Sequence, residues 1–213
     1  MVYVYNPIYH HFKGESVTRA EFIERLVVET ILKSDLPDEE RSWGKVFELK
    51  HSSSCSKIAR ILAQKRGLDD EIASIIGVLH DIYVNQTGRT TDHARKGAPI
   101  AQKILNDTGK FSKEDIETIV NGVRHHSDKH IYSDDPYVEL IKDADVFDCA
   151  LFEGVHDAYV YEKAPKTCRE YFKRVQRVRE ELGLPYDKQW DSLEMISDKA
   201  KEHMVSKKNK SKS

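Results

Sequence analysis

Six of the ten histidines fall between residues 51 and 130, and several stand at positions where a helix would turn them inward. His51 has Cys55 four residues on, Ile58 seven on and Leu62 eleven on, the spacing of one helical stripe. His80 and Asp81 end a run whose inward face is Ile72, Ile76 and Leu79. His126 lies seven residues beyond Ile119, and Asp145 lies four beyond Ile141 and seven beyond Val138. Separate segments thus aim an imidazole or a carboxylate at a dry interior. Leaving one such polar group buried and unpaired costs about 1–3 kcal/mol, and a charge costs more. A single inward histidine is explained by a bond to a carbonyl. Four or five on separate segments ask for a shared partner. A divalent cation offsets the carboxylates and uses the imidazole lone pairs together, and this donor mix suits Fe, Mn, Co, Ni or Zn.

The adjacent pair His80-Asp81 adds a geometric constraint. Neighbours on a helix point about 100° apart, so the pair serves one ion only near a helix end, or straddles two ions with the carboxylate bridging. Gly77, one turn earlier, leaves room for close approach. Asp143 competes with Asp145, but the two lie about 160° apart around a helix and do not face one ion together.

The elements that must position these groups all read as helices. Phe22, Leu26 and Ile31 predict a helix over 16–33, stopped at Asp35-Leu-Pro37. A second helical stretch starts near Asp38, takes in Trp43, Val46 and Phe47, and continues through 52–66 to Gly67, a usual C′ residue. Asp69 or Asp70 caps the next helix. A loop is expected at Asn85–Thr90, and Asp92 then opens a helix through Leu105 that Pro99 should bend or break. Ser112 and Asp115 make a capping-box start, and Asp134-Asp135-Pro136 opens a helix through about Phe152. Residues 166–204 are charged and helical in pattern, broken at Gly183-Leu-Pro185. No alternating strand or Gly-rich phosphate loop is visible, so the fold class is all-α.

Composition narrows the function. The 213 residues carry 34 Lys+Arg against 36 Asp+Glu, a net charge of −2, which excludes the global basic field of most nucleic-acid binders. No apolar run reaches the roughly 20 residues of a membrane span, and no secretory signal is visible, so the expectation is a cytoplasmic protein. Three widely spaced cysteines, Cys55, Cys149 and Cys168, suggest no disulfide framework. The expected organisation is an N-terminal extension over 1–15, one helical domain over 16–204 and a disordered basic tail over 205–213. Residues 156–204 are expected to pack as accessory helices or to offer a homodimer face.

The ordered set His51, Gly77-Val-Leu-His80-Asp81-Ile82, Val123-Arg-His125-His126 and Lys142-Asp143-Ala144-Asp145 resembles the HD-domain superfamily of metal-dependent phosphohydrolases, with a motif core over about 45–155. The resemblance implies an HD-domain helical bundle with accessory C-terminal helices, and a metal held by His51, His80, Asp81 and Asp145. Asp92-His93 and His125-His126 resemble the extra histidines of binuclear members. They imply a second ion on Asp81, His93 and His125 or His126. Asp81-Ile-Tyr-Val84 lacks the lysine of the cyclic-dinucleotide members, and their Gly-Tyr-Pro segment is absent, which disfavours that substrate. The implied cofactor is one or two ions of Fe, Mn, Co, Ni, Zn or Mg. The implied reaction is attack of metal-activated water on a small phosphate ester, a nucleotide among the candidates. Asp81, Asp148, Lys96 and Arg124 are the catalytic candidates, with Lys142 as a further cation. Lys129 and His130, in the loop after the histidine pair, either line the mouth of the site or stand in solvent, and so polar a loop is read as exposed. The competing functions are a binuclear iron oxygenase of the same superfamily and a non-catalytic binding module.

Overall fold

The computed structural model describes residues 18–198 and 200; the expected N-terminal extension and basic tail lie outside them. Among the described residues there are nine α-helices and no strand. They are α1 (Arg19–Leu32), α2 (Lys45–Arg66), α3 (Asp70–Leu79), α4 (Ile82–Thr87), α5 (His93–Thr108), α6 (Lys113–His125), α7 (Pro136–Ala150), α8 (Val155–Glu162) and α9 (Pro165–Glu181). Short 3₁₀ turns occupy Asp38–Glu40 and Lys188–Asp191.

Local chemistry sets the helix ends. Thr18 with Glu21 and Ser112 with Asp115 form capping boxes on α1 and α6. Asp69 and Asp135 accept amide hydrogen bonds at the starts of α3 and α7. Gly67, in the left-handed region, ends α2 and turns the chain straight into α3.

Five local expectations need correction. Residues near Asp38 form only a 3₁₀ turn, and α2 starts at Lys45. Residues 82–87 are helical, so the loop after His80-Asp81 is shorter than expected and begins at Gly88. Asp92 sits at φ 55 and makes no cap bond. Pro99 does not end α5. It and Arg95 are both exposed, so the carbonyl that loses its amide partner is open to water. The charged C-terminal third is helical through Glu181, then runs through a 3₁₀ turn and irregular chain after Pro185, with helical backbone again at residues 198 and 200.

The core is a layer of Ile, Val, Leu and Ala. Ile23 and Ile31 come from α1, Leu62 from α2, Ile75, Ile76 and Leu79 from α3, Ile119 from α6 and Leu140 and Ile141 from α7, all fully buried. α2 and α3 pack most extensively, and α7 lies against α2, α3, α6 and α9. Gly77 permits the α2–α3 approach: a Cβ there would meet Ser56 Cα at 2.7 Å. Among the described residues, no helix is long and apolar enough to cross a membrane.

Candidate metal centre

Three histidines of the cluster leave their helices at an end, where a backbone carbonyl holds the ring. His80 Nδ1 donates to Gly77 O at 2.7 Å, His93 Nδ1 to Thr90 O at 2.7 Å, and His126 Nδ1 to Val123 O at 2.8 Å. His51, in mid-helix on α2, donates Nδ1–H to Asp148 Oδ2 at 2.6 Å instead. Carbonyls and carboxylates only accept, so these partners fix the proton on Nδ1 in all four rings. The four Nε2 lone pairs are left facing one another: His51 and His80 at 3.1 Å, His93 and His126 at 3.0 Å.

Asp81 stands between the two pairs. Its Oδ2 lies 3.2 Å from His80 Nε2 and 3.7 Å from His51 Nε2. Its Oδ1 lies 3.2 Å from His93 Nε2 and 3.4 Å from His126 Nε2. Asp81 Oδ1 is nevertheless buried with no hydrogen-bond partner. Asp145 completes the first group, with Oδ1 3.5 Å from His51 Nε2. Ligands about 2.0–2.2 Å from one ion sit about 3.0 Å apart at right angles and about 3.4 Å apart in a tetrahedron. The observed separations bracket that range. The donors His51, His80 and Asp81, and again Asp81, His93 and His126, lie within 4.8 Å of one another. Facing lone pairs and an orphaned carboxylate oxygen are repulsive without a cation, so these donors fit one ion on each side of Asp81.

The charge balance agrees. Burial works against ionisation of Asp81, but His80, His126 and His93 outweigh it and hold the carboxyl well below its usual range. Burial likewise opposes charge on Asp145, and Lys129 and His51 reverse the effect. Burial also opposes charge on His51, yet Asp145 and Asp148 raise its pKa to about 10, so without an ion a proton takes the place on Nε2 that a cation would fill. His126 goes the other way, down to about 4, because burial dominates.

The structure sorts the sequence candidates. It brings together His51, His80, Asp81, His93, His126 and Asp145, with Asp148 directly behind His51. His125 is only half-buried, and its ring belongs to none of the donor groups. His126 shares the buried face of Val123 and Ile119 at helical spacing; His125 and Arg124 are rotated off it, and Arg124 is exposed. Lys96 is also exposed, with Nζ on Thr91 O and over the Tyr83 ring. Lys142 is buried away from the donors, bonded to Ile131 O and Glu139. Asp143 pairs with Arg66, Arg174 and Arg177.

Two neighbours escape a sequence reading. Lys129, expected to be exposed, is buried, and its Nζ bonds Asp145 Oδ2 on the side away from His51. Cys149, one turn after Asp145, places Sγ 3.7 Å from Asp145 Oδ1. Burial and Asp145 push its thiol pKa up, so it stands there as a neutral S–H. Phe47 stacks on His51 with centroids 5.3 Å apart, Phe152 packs on Phe47, and Trp43 lies edge-on to His93. These half-buried rings stand beside the donors. A separate cleft of about 910 Å³, lined by Arg169, Lys173 and Trp190 among others, shares no residue with the donors.

Comparison with known proteins agrees with this geometry. The HD domain family matches residues 49–150. The chain is also similar to ribonuclease Y of Rhodopirellula baltica, with 34% identity over 97 residues. That alignment takes in 46% of this chain and only 17% of the relative's length. No solved structure matches the chain.

Proposed function

Residues 49–150 place this chain in the HD-domain superfamily, and from that premise we propose that it hydrolyses a small phosphate ester. In this reading His51, His80, Asp81 and Asp145 hold one divalent ion, and Asp81, His93 and His126 hold a second. Divalent ions bound there would supply an acidified water and neutralise charge on the phosphoryl oxygens. The observation that carries the reading is Asp81: one carboxylate oxygen faces each histidine pair, and Oδ1 has no hydrogen-bond partner.

The chain's own groups do the rest. The carbonyls of Gly77, Thr90 and Val123 and the Asp148 carboxylate hold the rings in one tautomer and direction, so binding requires little reordering. Asp148 therefore acts through His51. Burial opposes charge on Lys129, but Asp145 outweighs it and raises its pKa, so this lysine serves as a fixed positive charge for a non-bridging phosphoryl oxygen. Phe47, Phe152 and Trp43 set tilted aromatic rings beside the donors, apolar surface that supports a substrate carrying a planar ring, such as a nucleotide.

The test is to strip the protein with a chelator, reload it with Mn²⁺, Co²⁺ or Fe²⁺, and follow phosphate release from p-nitrophenyl phosphate and nucleoside monophosphates. His80→Ala and Asp81→Ala are expected to lose both metal and turnover while keeping the helical signal. Undiminished phosphatase activity in either variant would refute the assignment, and O₂ uptake by the iron form without phosphate release would favour an oxygenase. The likeness to a ribonuclease supports a second reading, a phosphodiester substrate. Cleavage of single-stranded RNA in preference to monoesters would select it.

A further inference from the structure

The loop between α6 and α7 carries Lys129 to the site, and nothing in its own backbone makes it rigid. Among the described residues it forms isolated turns, such as Lys129 N to Ser127 O at 2.9 Å and Ile131 N to Asp128 O at 3.0 Å. Two buried cations pin it instead. Lys142 Nζ donates to Ile131 O at 2.6 Å from α7. Arg174 Nε donates to Lys129 O at 2.7 Å from α9. Arg174 is 0% exposed; its Nη1 donates to Asp143 Oδ1 at 2.7 Å, and its Nη2 lies 2.9 Å from Glu139 Oε2 as an ion-pair contact without a hydrogen bond. Its guanidinium also covers the Tyr132 ring at 4.7 Å. A planar fork held by two hydrogen bonds, with an acid beside its third nitrogen, is a stiff strut. Asp143 is thus put to use two residues from Asp145, on the other side of α7.

Helix α9 lies outside residues 49–150. We infer that it is nonetheless a working part of the site: Arg174 is a positioning residue that holds the Lys129 backbone so that its ammonium stands beside Asp145 for a substrate phosphate. The inference rests on the phosphohydrolase reading for the identity of the ligand, but not for the contact itself.

The test is a double-mutant cycle read by inorganic phosphate affinity of the full-length, Mn²⁺-loaded protein in calorimetry, with KM and kcat alongside. Lys129→Ala is expected to weaken phosphate about 10-fold, the loss of one charge-assisted hydrogen bond. Arg174→Lys keeps a charge but cannot span both Asp143 and the Lys129 carbonyl. It is expected to approach the same loss, to raise KM more than it lowers kcat, and to add almost nothing in the Lys129→Ala background. Arg177→Gln, which removes another Asp143 partner from a half-exposed position, is the control and should leave phosphate affinity unchanged. If Arg174→Lys fails to fold, Glu139→Gln loosens the same fork from its outer side and should shift phosphate affinity in the same direction. Additive effects of Arg174→Lys and Lys129→Ala, or equal effects of Arg174→Lys and Arg177→Gln, would overturn the positioning role. A cycle that behaves as expected in a protein that hydrolyses no phosphate ester would leave the strut standing and sink the functional reading.

Discussion

A methyl group at residue 77 should cost this protein its first metal position more than its fold. A Cβ on Gly77 would lie 2.7 Å from Ser56 Cα and 3.0 Å from the Cys55 carbonyl oxygen. Both are backbone atoms of α2, so no side chain can swing away. Restoring a carbon–carbon contact of about 3.5 Å requires α2 and α3 to part by about 0.8 Å. His51 rides on α2 and His80 ends α3, with their Nε2 atoms now 3.1 Å apart. Passed on in full, the shift opens that gap to about 3.9 Å, beyond the about 3.4 Å edge of a tetrahedral site. Overpacking costs about 1–3 kcal/mol. Alanine returns about 1 kcal/mol of helix propensity over glycine. Gly77→Ala should therefore lose about 0–2 kcal/mol of stability in urea melts of the chelated protein. Its Mn²⁺ affinity by calorimetry should fall about 10- to 100-fold, the scale of a disturbed ligand support. Gly122→Ala is the contrast, because its Cβ would meet the Ile76 Cγ2 methyl at 2.8 Å, a side-chain atom rather than the backbone of the neighbouring helix. That variant should pay a strain cost and keep its metal affinity. Mn²⁺ binding by Gly77→Ala at wild-type strength would refute the idea that helix approach sets the donor spacing.

Further outcomes follow from the same contacts. Asp148→Asn can present its amide to His51 and undo the Nδ1–H tautomer, so Mn²⁺ affinity should drop about 10- to 100-fold while the urea midpoint of the chelated protein moves little. Metal should be a strong stabiliser: free Mn²⁺ at 100 times its Kd adds about 2.7 kcal/mol, read as a rise in Tm that a chelator reverses, and an unchanged Tm would count against a preformed site. Arg41→Ala strands Glu48, whose carboxylate is buried with it at the start of α2, and should cost about 3–5 kcal/mol in urea melts. Burial works against charge on Asp157, but the amides of Ile196 and Ser197 outweigh it and bring its pKa down to about 2. A depressed carboxylate stabilises the fold above its unfolded value of 3.8, and that contribution is lost as pH falls toward 2. The stability gap between the wild type and Asp157→Asn should accordingly close over that window, and a gap constant with pH would contradict it.

Periodicity made the helices legible because each buries one stripe. His51, His80, His126 and Asp145 all stand on stripes of Ile, Val, Leu or Cys, and the structure draws those four together. Stripe logic also separates Asp145 from Asp143, which points across α7 to three arginines. Where the expectation failed, the deciding contact was long-range. Asp92 has the right side chain for a cap but sits in a left-handed turn that aims it elsewhere. Pro99 survives in α5 because its side of the helix meets water.

Buried cations are the least readable part of such a chain, and the reason is physical. A lysine or arginine in a polar stretch is ordinarily solvated, because burying its charge costs several kcal/mol unless a partner waits inside. The partners of Lys129, Lys142 and Arg174 are a carboxylate on α7, a loop carbonyl, and two acids plus another loop carbonyl. Only Glu139, one turn before Lys142, and the His126 carbonyl, a further partner three residues before Lys129, stand near their cations in sequence. Selecting cations by sequence distance to the ligands therefore favoured Lys96 and Arg124, which the fold leaves in solvent, over Lys129, which it buries. Lys142, close to Asp145 in sequence, is used as a loop anchor instead. The signal that could have found Lys129 is subtractive: a buried Asp145 faces His51 with one oxygen and needs a cation at the other. The loop carrying Lys129 has no regular hydrogen bonding of its own, so that cation must in turn be held from outside, and α9 supplies the hold.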